Sequence, residues 1–369
     1  MQVSRAVISD MFHLPVGCPF PKKGVSISEH AANWLNSEGK EVSTPQKISY
    51  GTYAGIATVV LGAIVGFLGL KNDNPISKAL GVALAAIGAT IAFVGKFFGH
   101  DQALFNKLQK ELIFRPDKKI NEAAIEENGI SKNHEVLIDV PNSDGAKLHG
   151  YFVPSPKPTN KVVLYLHGRA HNNGDSVVAC KKIQEHVPVN VLMADYRGFG
   201  KSAGEASHES VIEDAKAMYS YLLDQGYKPE DVTVYGHSLG GAIGIELAAQ
   251  LKGKVKNLIV QSSFASFEDI ADDFMKKYVP GFVGNTIKRI LPEAFVSKQT
   301  IKKLHPDTKL LILHGSDDEI IATKQAAELF DSARVRNKQF YVLHGAHHSD
   351  FYEHIDEHSA KALREFIGV

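Results

Sequence analysis

Two stretches near the start of the chain break the short-range mixing of polar and apolar positions seen elsewhere. No residue from 48 to 70 is charged, a run of 23 positions, and 79–95 adds 17 more. Ten residues of the first run are Leu, Ile, Phe or Val. Each favours insertion by roughly 0.3–0.6 kcal/mol, outweighing the Gly, Ser and Thr between them. As a helix the first run spans roughly 34 Å, enough to cross a bilayer. The second reaches about 30 Å when extended through Phe98, with Lys96 snorkelling to the interface. Between them, Lys71-Asn-Asp-Asn-Pro-Ile-Ser-Lys78 is a turn. The pattern predicts an N-terminal transmembrane-type helical hairpin over 48–98. Both runs are apolar on every face, which favours lipid over the alternative of a buried helical hairpin packed on the soluble domain.

Small residues four apart, such as Gly62/Gly66 and Gly88/Ala92, let two such helices approach closely in lipid. Lys40, Lys47, Lys96, Lys107, Lys110 and Arg115 flank the hairpin, against only Lys71 and Lys78 in its loop. The excess of flanking cations predicts both termini, and the downstream domain, on the cytosolic side. Residues 1–47 are polar and lack the basic start and short apolar core of a cleaved signal peptide. Residues 99–131 read as a linker with amphipathic character. Leu104, Leu108, Leu112 and Ile113 recur at helical spacing, suited equally to a membrane surface or to plain packing.

From about 132 to 369 the period changes. Apolar, β-rich runs at 135–140, 147–153, 162–166, 189–193, 232–235, 258–260, 310–313 and 340–343 alternate with helix-length segments such as 242–251 and 324–332. The first two runs are joined through Pro141-Asn-Ser-Asp-Gly145, a hairpin signal. The later runs are mostly continuous apolar stretches, as strands buried on both faces should be. Strand–helix alternation over this length predicts an α/β domain with a mostly parallel, doubly wound sheet.

Composition narrows the partners. With 41 basic and 41 acidic side chains among 369 residues the formal net charge is zero, which argues against nucleic acid. The two cysteines, Cys18 and Cys180, cannot build a disulfide framework or a multi-cysteine zinc site. His354-Ile-Asp-Glu357-His358 spells an inverted zinc-protease pattern. It falls in the expected last helix with no obvious third ligand, so no metal or cofactor is expected.

The chemistry is concentrated in three turns. Val232-Thr-Val-Tyr-Gly236-His-Ser238-Leu-Gly240 is G-x-S-x-G between an apolar strand and a helix. A serine on such a turn sits in strained backbone, and glycine two before and two after relieves the crowding. Leu310-Leu-Ile-Leu-His-Gly315-Ser-Asp-Asp318 and Phe340-Tyr-Val-Leu-His-Gly345-Ala-His-His348 each end an apolar strand. Ser, Asp and His in that order, each at a strand's carboxyl end, form a nucleophile–orienter–base set. Ser238 is the candidate nucleophile, His348 the general base and then acid, and Asp318 the group that orients the imidazole. Asp317 and His347 are adjacent rivals; the spacing after Gly315 and Gly345 favours 318 and 348. An oxyanion hole needs two backbone N–H groups, expected at Leu239 and, in His167-Gly168-Arg169-Ala170, at Arg169. Asp195-Tyr-Arg-Gly-Phe-Gly-Lys-Ser202 reads as a sharp structural turn whose Asp195 and Arg197 tie the surrounding loops.

From about residue 111 to its end the chain resembles the α/β-hydrolase-fold serine hydrolases, in particular the membrane-anchored abhydrolase-domain branch. The resemblance is carried by Glu111-Leu-Ile-Phe-Arg-Pro116, Leu164-Tyr-Leu-His-Gly168, Asp195-Tyr-Arg-Gly-Phe-Gly-Lys-Ser202, Gly236-His-Ser-Leu-Gly-Gly241, His314-Gly-Ser-Asp-Asp318 and Gly345-Ala-His-His348. It implies an α/β-hydrolase fold and cleavage of acyl esters or thioesters, of the lysophospholipid, monoacylglycerol or S-acyl protein type. No cofactor is implied, and the partners are the acyl substrate and a lipid bilayer. His347, where a small residue is common, and the hairpin in place of a single span depart from that pattern. A cap insertion at about 264–300, aromatic with interspersed Lys and Arg, is expected to cover an acyl groove with its apolar side and to face anionic headgroups with its basic side. Competing readings are a serine peptidase of the same fold, which would usually need an added gating domain, and a non-catalytic membrane-shaping scaffold.

Overall fold

The computed structural model describes residues 113–278 and 294–369. The polar segment 1–47, the expected hairpin at 48–98, the linker as far as 112 and the centre of the expected cap, 279–293, lie outside the described residues. Among the described residues no helix is long and apolar enough to cross a membrane. All but the end of one helix belong to one compact unit, 107–270 with 293–369.

The elements of this unit run α1 (Glu122–Glu127), β1 (Glu135–Asp139), β2 (Lys147–Val153), β3 (Val162–Leu166), α2 (Asn173–His186), β4 (Asn190–Ala194), α3 (His208–Asp224), β5 (Val232–His237), α4 (Leu239–Gln250) and β6 (Asn257–Gln261). They continue with α5 (Phe267–Tyr278), α6 (Ser297–Thr300), β7 (Lys309–Gly315), α7 (Thr323–Ser332), β8 (Asn337–Leu343) and α8 (Glu357–Ile367). The eight strands form one sheet in the order β1-β2-β4-β3-β5-β6-β7-β8. β1 and β2 pair antiparallel, as do β2 and β4, and the rest is parallel.

The apolar runs become buried strands because the pleat sends alternate residues to two separate cores. Val162, Leu164 and Leu166 of β3 enter one core with Val232 and Val234 of β5, Leu258 and Val260 of β6, and Leu310 and Ile312 of β7. Val163, Tyr165, Tyr235, Ile259, Leu311 and Leu313 enter the other. α3, α4 and α7 cover the first face through residues such as Met218, Ile243 and Leu329. α2 and α8 cover the second through Val177, Ile183, Leu363 and Phe366. The helix starts are fixed by side chains: Asn172 accepts from Gly174 N, Ser207 from Ser210 N and Asp356 from Ser359 N.

Two local expectations change. The described part of the linker is not a continuous helix, although Ile113 and Phe114 are fully buried in the first core, in line with packing and not with a membrane-surface stripe. The H-x-x-E-H stretch is split: His354 ends a 3-10 turn, Phe351–His354, and α8 starts only at Glu357, capped by Asp356. The one-turn spacing that would put two histidines on one face is therefore absent.

Candidate active site

β5 ends at His237 and α4 begins at Leu239, so Ser238 must turn the chain from strand to helix in one residue. It does so at φ 54°, ψ −117°, a conformation that costs a non-glycine residue on the order of 1–3 kcal/mol. Surrounding bonds hold it there. Ser238 N donates to Gln261 O at 2.9 Å, and Ser238 O accepts from Gly241 N at 3.0 Å and from Ser263 Oγ at 2.8 Å. The flanking glycines are obligatory for closeness. A Cβ on Gly236 would lie 2.2 Å from Gly240 O, and one on Gly240 would lie 1.9 Å from Leu166 O.

The loops after β7 and β8 bring the other two candidates to the same sheet edge. His348 Nε2 lies 3.1 Å from Ser238 Oγ, and His348 Nδ1 lies 2.8 Å from Asp318 Oδ2. His348 is buried, and so, completely, is the Asp318 side chain. Asp318 Oδ1 accepts from the backbone N–H of Ile320 at 3.0 Å and of Ile321 at 2.8 Å. Its Oδ2 also faces His314 Nε2 at 3.3 Å, and the same nitrogen donates to Ile321 O at 2.8 Å. Burial pushes the Asp318 carboxyl pKa up, but hydrogen bonds from His314, His348 and the Ile321 amide outweigh it and hold the value below the usual carboxylate range. The group is an ionised acceptor that fixes Nδ1–H toward itself and leaves the Nε2 lone pair facing the hydroxyl.

The rivals point elsewhere. Asp317 is exposed and accepts from Ser316 Oγ at 2.7 Å. His347 is exposed and meets Glu319 at 3.2 Å.

Both expected oxyanion positions border the serine. Leu239 follows it directly as the first residue of α4. A Cβ on Gly168 would lie 3.3 Å from Ser238 Cβ, so the chain entering Arg169 passes against the nucleophile candidate. Ala170, at φ 58°, donates to Phe114 O at 3.1 Å and pins the far end of that turn.

Three histidines here carry no assignment from sequence. His237 Nε2 lies 3.3 Å from His348 O, where only the N–H tautomer bonds, and it steadies the backbone of the base candidate. His171 stacks on the His237 ring at 5.9 Å. Burial lowers the pKa of both, His237 most strongly, with the neighbouring His348 adding to the shift. They remain neutral beside the base. The third is His314. The adjacency of His237 to Ser238 and of His314 to Gly315 was the only signal in the sequence, and neither reports a contact. The 195–202 turn is structural: Asp195 accepts from Asn173 N at 2.7 Å and Arg197 Nε donates to Asp214 at 2.6 Å. Among the described residues no cluster of three or more His, Cys, Asp or Glu is arranged to hold a metal ion.

This strand order and site edge define the α/β-hydrolase fold. A family model described as "alpha/beta hydrolase fold" matches residues 161–295. The chain is similar to Protein bem46 of Schizosaccharomyces pombe, 29% identical over 219 residues, covering 58% of this chain and 70% of that one. It is also similar to Alpha/beta hydrolase domain-containing protein WAV2 of Arabidopsis thaliana, 28% identical over 207 residues, 54% of this chain and 66% of that one. Among solved structures, an α/β hydrolase from Vibrio vulnificus superposes with TM-score 0.57 at 21% identity, covering 72% of this chain and 94% of that one. The Pyrococcus furiosus esterase Pf2001 superposes with TM-score 0.54 at 19% identity, covering 69% and 97%. At such identities the structures speak to the fold alone.

Proposed function

We propose that the protein is a serine hydrolase that cleaves acyl esters or thioesters through an acyl-enzyme. The observation that carries this reading is the unbroken line from Ser238 Oγ through His348 to Asp318, at 3.1 and 2.8 Å. His348 Nε2 takes the hydroxyl proton as Oγ attacks the acyl carbon, then gives it to the leaving alkoxide or thiolate. Asp318 stabilises the imidazolium without taking its proton. The amides of Leu239 and Arg169 receive the tetrahedral oxyanion, each contributing a factor of about 10²–10³. Water, activated by the same imidazole, releases the acid and restores Ser238. The esterase named among the structural relatives agrees with this substrate class. The uncharged runs 48–70 and 79–95 support anchoring in a membrane, with the hydrolase domain facing the cytosol.

The test is Ser238→Ala, assayed by fluorophosphonate labelling and by turnover of p-nitrophenyl esters of graded acyl length. Both signals are expected to vanish while the fold is kept. Labelling that persists in the variant would overturn the assignment.

A further inference from the structure

Opposite the active site, three connecting loops carry a positive charge that the proposed reaction does not use. The loop into β6 holds Lys252, Lys254 and Lys256. Lys302 and Lys303 precede β7 and Lys309 is its first residue, while Arg334 and Arg336 precede β8 and Lys338 is its second residue. Nine basic residues in 251–256, 302–309 and 333–338 stand against one acid, Asp307.

These loops form one surface. β6, β7 and β8 are parallel neighbours, and Asn257, Lys309 and Asn337 are successive partners across their amino ends. Lys309 N donates to Lys256 O at 2.8 Å, Thr308 Oγ1 to Val255 O at 3.0 Å and Arg336 N to Pro306 O at 2.9 Å. Lys252, Lys254, Lys303, Lys309 and Arg334 are exposed. Three cations are spoken for: Arg336 pairs with Asp307, Lys302 donates to Gln299 Oε1 at 3.1 Å, and Lys338 turns inward to the carbonyls of Phe330 and Ala333. On the α7 flank Glu328 and Asp331 share a shallow groove with Lys302 and Arg334, and Glu328 is engaged by Lys298 at 3.3 Å. The loop into β5 is balanced, with Lys228 beside Glu230 and Asp231 bonded to Lys161 at 2.6 Å. The positive excess is thus concentrated at the β6–β8 end.

We infer that this basic face seats the domain on an anionic bilayer surface, so that the active site opens away from the membrane. Charge complementarity favours that partner, and the uncharged runs of the same chain, 48–70 and 79–95, are long enough to keep the domain beside a bilayer. Ser238, Asp318 and His348 follow the carboxyl ends of β5, β7 and β8, a strand's length from the basic loops, roughly 20 Å at about 3.3 Å per residue. Acyl groups would then reach the serine from the aqueous side, on soluble molecules or peripheral S-acyl proteins. That substrate consequence rests on the serine-hydrolase reading; the docking does not.

The experiment uses the full chain reconstituted in vesicles of phosphatidylcholine alone or with about 30% phosphatidylserine. Amine-reactive labelling is read residue by residue, with exposed Lys118 and Lys361 as controls. Labelling of Lys252, Lys254, Lys303 and Lys309 is expected to fall at least fivefold with phosphatidylserine, the controls staying constant. That is about the effect of one basic residue at an anionic surface. The protection should disappear near 0.5 M salt, where screening acts within about 4 Å. A variant with all four lysines changed to Gln should retain kcat on a soluble ester and lose the phosphatidylserine-dependent protection of the neighbouring backbone amides to hydrogen exchange. Equal labelling in both vesicles would overturn the docking, as would stronger protection by soluble polyglutamate than by the vesicles, which would mean an acidic protein partner. Hydrolysis of a lysophospholipid in the host vesicle as fast as that of a soluble thioester would overturn the orientation. Fluorophosphonate labelling of Ser238 in the same samples reports separately on the hydrolase reading.

Discussion

Replacing Asp318 by Asn tests the site at the point where its geometry is most constrained. Oδ1 accepts two backbone N–H groups, from Ile320 at 3.0 Å and Ile321 at 2.8 Å. An amide NH₂ there would face two donors, so the new side chain must keep its oxygen at that position. Its NH₂ is thereby forced to the Oδ2 position, 2.8 Å from His348 Nδ1. It would donate to that nitrogen and select the Nε2–H tautomer, which points a proton at Ser238 Oγ and cannot accept one. The corresponding change in a well-studied serine protease lowers kcat by about 10⁴, or roughly 5.5 kcal/mol at 1.36 kcal/mol per decade. We expect a loss of that order here, with KM changed by less than about threefold, because substrate contacts are untouched. His314 keeps its bond to Ile321 O at 2.8 Å, so the stability cost should be about 1–3 kcal/mol and the fall in Tm less than about 10 °C. Steady-state kinetics on a p-nitrophenyl ester and thermal unfolding by circular dichroism measure both. A folded variant within tenfold of wild-type kcat refutes the assignment of Asp318.

Other substitutions should divide sharply by place. Asp317→Asn and His347→Ala, both exposed and outside hydrogen-bond reach of Ser238, should alter kcat by less than about twofold. Gly240→Ala puts a methyl 1.9 Å from Leu166 O and should cost about 3 kcal/mol along with most activity, whereas Gly244→Ala meets the side-chain ends of Leu258, Val234 and Leu166 at 3.2, 3.4 and 3.8 Å and should stay within about 1 kcal/mol in denaturant titrations. Because the folded-state pKa of Asp318 is depressed, its carboxylate stabilises the fold above the unfolded value, roughly pH 4, and that contribution is lost as the pH falls further. Urea midpoints of wild type and Asp318→Asn should therefore converge below about pH 4; a gap that stays constant would contradict the bonding described for this group.

The sheet was readable because its inner strands are buried on both faces. Val162-Val-Leu-Tyr-Leu166 has no polar position to obscure it, and its five residues are all inaccessible. β8 was readable only from Phe340 because its first half, at the sheet edge, mixes Asn337, Lys338 and Gln339 with partial exposure. Glycine spacing placed Ser238, Asp318 and His348 at turns, since each turn is local in the chain. Contacts between turns are different in kind. His314 meets Asp318 across the Ile321 turn, and His237 meets His348 across 111 positions. No local pattern encodes either. The placement of H-x-x-E-H within one last helix failed for a related reason: helical spacing means something only inside a continuous helix, and Asp356, a good N-cap, starts that helix between the two histidines. Ile113 kept its helical spacing in the sequence, yet it packs in a core built from strands far downstream.

The three candidates share a mode of support that follows from the fold. Ser238 is held through its backbone by Gln261 and Ser263, and Asp318 through two amides of its own turn. His348 is held by Asp318 on one side and by the loop behind it on the other. There His347 N donates to Asp350 at 2.7 Å, Phe351 is buried, and Tyr352 OH meets Tyr165 OH at 3.3 Å beneath the sheet. Rigid elements thus fix the reacting atoms, and no flexible side chain sets their spacing. Disturbing a support should therefore move Oγ or Nε2 by a fraction of an ångström and leave the substrate surface in place. Such variants, Tyr352→Phe among them, should lower kcat and kcat/KM together, whereas substitutions at residues that only contact the substrate should act first on KM.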